Sequence, residues 1–244
     1  MHQVVDHIEV LPDSLALARH AAEWITALAL AAEAPFRVSL SGGSTPKALF
    51  GLLASDEFKD RFPWQRVSWF WGDERFVPHD HADSNYRMAR EAMLAKVPAP
   101  SESIHPVPVD GTPEDAALRY ERTLQHAYGS RTLDPAHPLF DVTLLGLGTD
   151  GHTASLLPGE PVLQERKRWV AAVAHGRPEA RITMTYPAIE SSRYVLFLVA
   201  GQEKAAILRA IRAGQSDAPA ARVRPVGKLL WFVDRAAAGE GSLQ

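Results

Sequence analysis

The chain of 244 residues contains no cysteine, which removes disulfides, thiolate nucleophiles and the usual structural zinc sites together and fits a reducing compartment. Long hydrophobic runs are missing too: no stretch approaches the roughly 18 apolar residues of a membrane-spanning helix, so none is expected. The opening MHQVVDHIEV lacks a basic segment followed by an apolar core, so no secretory signal is expected and the cytoplasm is the default location. Positive charge is not in excess. Twenty-nine acidic against 26 basic residues leave a formal net charge of −3, so no global field exists to hold nucleic acid or an anionic membrane. Any anion must be bound locally. Internal repeats and low-complexity tracts are also absent, and no composition break marks a linker, so one domain spanning 1–244 is expected.

What is present is an alternation of short apolar runs with longer amphipathic ones, the pattern of a parallel sheet with helices on both faces. Strands are expected at Val4–Val10, Phe36–Leu40, Val67–Trp71, Asp141–Leu145, Trp169–Val173, Tyr194–Val199 and Leu229–Val233. Apolar residues at three- and four-residue spacing predict helices over Ser14–Ala32, Pro46–Ala54, Asn85–Ala95, Pro113–Tyr128 and Glu203–Ala213. The stretch Val97–Thr112, with four prolines, reads as a loop. The fold class is therefore α/β: a single-domain, mostly parallel Rossmann-like sheet with helices on both faces. In such sheets ligands bind beyond the carboxyl ends of the strands, which directs attention to the segments just after each strand.

Four of these segments carry unusual chemistry. After Leu40 come Ser41, Gly42, Gly43, Ser44, Thr45 and Pro46, with Pro46 suited to the first position of a helix. Paired glycines admit a ligand close to the backbone, hydroxyls donate hydrogen bonds, and a helix N-terminus adds free N–H groups, a combination that suits a phosphate. A glycine turn with a hydroxyl cap is the plainer alternative. A nucleotide P-loop is not supported, because Pro46 stands where the lysine–serine pair should begin. After Trp71, the run Gly72, Asp73, Glu74, Arg75 sits between an aromatic strand and Phe76. A charged tripeptide is usually a solvated face, but its aromatic flanks favour a site in which Arg75 meets an anion or developing oxyanion and Asp73 orients it or the substrate. Nearby His79, Asp80, His81 and Asp83 have the composition of metal ligands without helical ligand spacing, so no metal is expected. Lys204, following Gly201 at a helix start, opposes the helix dipole unless an anion is bound there; a surface lysine would look the same.

The most informative segment is FDVTLLGLGTDGHTAS, Phe140 to Ser155. Gly146, Gly148 and Gly151 satisfy the dinucleotide fingerprint literally, but two requirements fail. Pro158 and Gly159 stop the helix that should follow, and the expected strand ending at Val173 leads to Ala174 and His175 instead of a ribose-binding acid. His152 lies two residues from Asp150 on a glycine-flanked loop at a strand's carboxyl end, an arrangement for a general base and its orienting partner.

Together SLSGGSTPKALF, WFWGDERFVP, DSNYRMAREAML, FDVTLLGLGTDGHTASLLPG, RITMTYPAI, GQEKA and ARVRPVGKLLWFVD closely resemble the 6-phosphogluconolactonase family, within the larger group that includes glucosamine-6-phosphate isomerases/deaminases. The resemblance spans nearly the whole chain. It implies that Gly43, Ser44, Thr45 and Lys204 hold a substrate phosphate, with Arg181 contributing, and that His152 is the catalytic base. Asp150 would assist it, with Asp73 and Arg75 lining the site. The amino-sugar branch carries a glutamate just before the proline of the histidine loop, where this chain has Leu157, so the loop looks like the lactonase version. The implied activity is hydrolysis of 6-phospho-D-glucono-1,5-lactone to 6-phosphogluconate in the oxidative pentose phosphate pathway, without cofactor, metal, nucleic-acid or membrane partner, by a monomer or small homo-oligomer; an amino-sugar-phosphate isomerase or deaminase and a non-catalytic sugar-phosphate sensor are the alternatives.

Overall fold

The computed structural model describes residues 6–33 and 35–239. Its elements run β1 (Asp6–Leu11), α1 (Ser14–Ala31), β2 (Phe36–Leu40), α2 (Ser44–Leu53), β3 (Val67–Trp71), β4 (Asp73–Arg75), α3 (Asn85–Ala89), α4 (Pro113–Tyr128), β5 (Phe140–Leu145), β6 (Val170–Val173), β7 (Arg181–Met184), α5 (Tyr186–Glu190), β8 (Ser192–Val199), α6 (Ala205–Arg212), β9 (Lys228–Asp234) and α7 (Arg235–Ala238). Val4 and Val5, the start of the expected first strand, lie outside the described residues.

Strands β2, β3, β5, β8 and β9 are buried almost from end to end, which is how strands read when both faces of a parallel sheet are covered. They join β1 in a six-stranded sheet of order β1-β9-β8-β5-β2-β3, and every neighbouring pair is parallel. From β2 the chain passes through α2 to β3 on one side, then returns to place β5 on the other side of β2. The carboxyl ends of β2 and β5 therefore flank the point where the winding reverses, and that crevice is where an open α/β sheet binds its ligand.

Helix boundaries follow local chemistry. Asp13 caps α1 by accepting from the Ala16 N–H at 2.8 Å. The α4 helix has Thr112 as its N-cap, Pro113 in its first turn and Gly129 in the left-handed conformation at its end. Two expected helices are subdivided: α3 continues into a π-helical turn, Arg90–Leu94, and α6 is preceded by a 3₁₀ turn, Gln202–Lys204. The expected loop 97–112 contains a 3₁₀ turn, Ser101–Ser103, and a bridge from Ile104 to Trp69.

One expectation is corrected. The run around Trp169–Val173 does not join the parallel sheet. As β6 it forms, with β7 and β4, a three-stranded antiparallel sheet of order β4-β7-β6. Strand β4 is made of the three charged residues expected to form a loop, and neither β7 nor α5 was expected at all. Elements of three to five residues are too short to establish a period, and an all-charged strand resembles a solvated turn. Gly72 links the two sheets: its N–H donates to the Leu40 carbonyl at 2.9 Å, and its own carbonyl accepts from Met184 at 2.7 Å.

Candidate active site

The crevice at the switch point is a cleft of about 260 Å³, lined by the segments that follow β2, β3, β5 and β8. One wall is the loop 41–46. Gly43 has φ +106°, a backbone conformation that L side chains rarely adopt, and it serves as N-cap of α2. Ser44 and Thr45, rather than Pro46, open the helix, so their N–H groups belong to its unpaired first turn and both residues line the cleft. Pro46, two positions further in, lacks an N–H and loses none that an intrahelical bond requires. Facing them is Lys204, the N-cap of α6, whose Nζ is 4.0 Å from the Glu203 carboxylate. An ion pair that long leaves the ammonium hydrogens available to an anion.

The opposite wall is the histidine loop. A tight turn is closed by the Gly148 N–H donating to the His152 carbonyl at 2.9 Å and by the Gly151 N–H donating to Gly148 at 2.9 Å. Asp150 Oδ1 accepts from the His152 N–H at 3.1 Å and sits 2.5 Å from Nδ1 of the same residue. An Nδ1–H directed at a carboxylate leaves Nε2 with the free lone pair, the form a base needs. Asp150 lies behind His152 and is not itself part of the cleft lining. Partial burial pushes its carboxyl up, but hydrogen bonds from the His152 ring and amide, the imidazole charge and Arg177 outweigh this and hold it at about 2. The turn runs on to Ala154, the one non-glycine residue at positive φ among the described residues (+48°), and it too lines the cleft. Strain of that kind gathers at functional loops.

The floor comes from β4 and β7. Asp73 is buried and accepts from Ser155 Oγ at 2.6 Å, so it ties the histidine loop to β4; of the two partners expected for it, Arg75 or the substrate, Arg75 is not ion-paired with it. Glu74 is fully buried and accepts from the N–H groups of Arg75, Asn85 and Tyr86 and from Ser84 Oγ, at 2.7–3.0 Å, which fixes the start of α3. Burial pushes its carboxyl up against those four bonds. Arg75 and Arg181 stand directly opposite each other in the β4–β7 register. Like charges in that position repel. Both line the cleft, and the Nε of each is buried without a hydrogen-bond partner among the described residues. Two cations held together with unused donors suit an anionic or developing-anionic group.

Eight of the nine residues proposed from sequence thus line one cleft, and the ninth, Asp150, touches His152. Sequence reasoning missed Ser155 and Asn85, although both stood in segments singled out above; Asn85 Nδ2 donates to the Asp73 carbonyl at 2.9 Å. It also missed Arg177, which reaches Asp150 from 27 positions away. No group of three or more potential metal-ligating side chains is gathered among the described residues. His79 bonds instead to the Val107 carbonyl at 2.8 Å.

A family model described as glucosamine-6-phosphate isomerases/6-phosphogluconolactonase matches residues 12–231. The chain belongs to this family. It is similar to the 6-phosphogluconolactonase of a Nostoc species, 41% identical over 243 residues that cover 97% of this chain and 98% of the relative. The 6-phosphogluconolactonase of Rattus norvegicus is 41% identical over 212 residues, 83% of this chain and 79% of the relative. Among solved structures, a 6-phosphogluconolactonase from Trypanosoma cruzi superposes with a TM-score of 0.84 at 29% identity, covering 98% of each chain. A monomeric glucosamine-6-phosphate deaminase, at 20% identity and a TM-score of 0.80, shares the fold. The branches of the glucosamine-6-phosphate isomerase/6-phosphogluconolactonase family were distinguished above at Leu157. Here that side chain is 3% exposed and belongs to the apolar core, outside the cleft lining.

Proposed function

We propose that this chain is a 6-phosphogluconolactonase that hydrolyses 6-phospho-D-glucono-1,5-lactone to 6-phosphogluconate in the oxidative pentose phosphate pathway, with the cytoplasm as its expected location. No described helix is long and apolar enough to cross a membrane. The observation that carries the proposal is His152, backed by the Asp150 carboxylate, lining the same cleft as a helix N-terminus and a lysine suited to phosphate.

On this reading Ser44, Thr45 and Lys204 hold the phosphate with help from Gly43 and Arg181, which sets C1 of the lactone near His152. His152 Nε2 takes a proton from water as the water oxygen bonds to C1, and the carbonyl becomes a tetrahedral oxyanion. Arg75 and loop N–H groups stabilise that charge, each well-placed donor contributing on the order of 3 kcal/mol. The imidazolium returns its proton to the ring oxygen as the bond from C1 to that oxygen breaks. The product is an open-chain acid, which then ionises and releases a proton. A lactone already has an electrophilic carbonyl and a tolerable leaving group, so His152 with its donors suffices.

The test is proton release from freshly generated lactone, measured against spontaneous hydrolysis. The wild-type chain should accelerate it, and His152→Ala should lower kcat by roughly 10²–10⁴-fold. No acceleration, or an unchanged rate in the variant, would sink the proposal. Ammonia release from glucosamine 6-phosphate should stay at background, because Leu157 cannot move a proton.

A further inference from the structure

We propose that Arg177 is a positioning residue for the catalytic pair: from the connection between β6 and β7 it holds the second oxygen of Asp150 so that the first stays on the imidazole. This deepens the lactonase reading and rests on it.

The geometry divides the Asp150 carboxylate between two partners. Oδ1 takes the His152 amide and ring, while Oδ2 accepts from Arg177 Nη2 at 2.8 Å. The same guanidinium nitrogen lies 3.5 Å from His152 Nδ1. Both nitrogens point donors at one carboxylate, so this approach is the spacing of two donors sharing an acceptor and not a bond between them. Asp150 needs such a holder. Its side chain is 40% exposed on a short turn, and a carboxylate bonded to His152 alone would be free to rotate away from it. Arg177 does not line the cleft, so it acts through Asp150 and not on the substrate.

The segment carrying Arg177 is itself seated on the histidine loop. Gly176 has φ +80°, and a Cβ there would lie 3.1 Å from Leu157 Cδ1 and 3.0 Å from Glu160 Oε1. Leu157, the position that separates the two branches of the family, thus forms the apolar seat for the residue next to Arg177. The competing account is an ordinary surface ion pair. Such pairs contribute little to stability and nothing to the position of reacting atoms.

The two accounts diverge in kinetics. Lactone hydrolysis is measured for wild type, Arg177→Gln, Arg177→Lys, Asp150→Asn and the Asp150→Asn/Arg177→Gln double variant. Arg177→Gln should lower kcat on the order of tenfold with KM unchanged, because binding is intact and orientation is lost. Arg177→Lys should recover most of that loss. In the Asp150→Asn background, Arg177→Gln should cost no more than about twofold further, the signature of two residues acting as one unit. Wild-type kcat in Arg177→Gln, a raised KM with kcat retained, or losses that simply multiply in the double variant would each overturn the assignment. A wild-type protein inactive on lactone would refute the lactonase reading, and the ¹⁵N resonances of the His152 ring would then decide on Arg177. They should move in Arg177→Gln and stay near wild type in Arg177→Lys; unmoved resonances in Arg177→Gln would overturn the positioning role.

Discussion

A single methyl group at Gly148 should be enough to disable the proposed base. A Cβ there would lie 2.0 Å from His152 Nδ1 and 2.6 Å from Asp150 Oδ1, so the imidazole must swing aside to admit it. Gly148 has no positive φ to lose, and the atoms a Cβ would meet first belong to the His152 and Asp150 side chains and not to backbone, so the fold tolerates what the chemistry does not. Gly148→Ala should lower kcat on the order of 10²-fold, the scale set by an ångström of misplacement, while the melting curve moves little. Steady-state kinetics beside thermal denaturation checks both halves, and full activity in a folded variant would contradict the assigned geometry. His152 and Asp150 were legible in the sequence because they lie two residues apart on a loop whose glycines announce it. Ser155 and Arg177 were not, since their partners stand 82 and 27 residues away and only the folded sheets bring them together.

At the level of elements, β3 is an edge strand and its outward polar groups need partners that the sheet does not supply. Tyr120, on α4, meets that need at Trp71: its hydroxyl accepts from the Trp71 N–H at 2.7 Å and donates to the Trp71 carbonyl at 3.0 Å. Both residues are about 1% exposed, and burial pushes the phenol pKa up, so the hydroxyl stays protonated and serves both bonds. Tyr120→Phe should destabilise the chain by about 1–3 kcal/mol, since two buried backbone groups lose their partner together. For a protein of this size that is a fall of roughly 2–12 °C in Tm, and an unchanged Tm would mean that the edge is satisfied in another way. At the start of α6, Lys204→Gln should raise KM about tenfold with kcat little changed, because a phosphate remote from C1 supplies binding more than chemistry. A kcat that falls as far as kcat/KM would place Lys204 at the reacting atoms instead. Long elements such as α1 and α4 were legible because period and caps agree over many residues. The short strand β4 was not, because three charged residues show no period and are buried only through partners on β7 and α3.

For the molecule as a whole, the doubly wound sheet could be read in advance because each strand announces itself, while the three-stranded sheet could not, because a strand's run of residues does not say which partner it will take. The consequence concerns cooperativity. The site spans both sheets: His152 and Lys204 come from segments after β5 and β8, whereas Arg75 and Arg181 come from β4 and β7. If the smaller sheet were an independent unit, the floor of the cleft would melt away from its walls. Several contacts oppose that. Gly72 belongs to both hydrogen-bond systems, Ser155 of the histidine loop bonds to Asp73, and α4 caps β3 through Tyr120 while its Glu121 accepts from the Trp169 N–H at 3.0 Å beside β6. The buried apolar residues of both sheets also form one continuous cluster. We therefore propose that residues 1–244 fold as one domain. Calorimetry should show a single transition whose calorimetric and van't Hoff enthalpies agree, with lactonase activity lost along the same curve. Two resolved transitions, or activity that disappears well below the main one, would mean that the antiparallel sheet melts first and that the site is assembled from two separately stable parts.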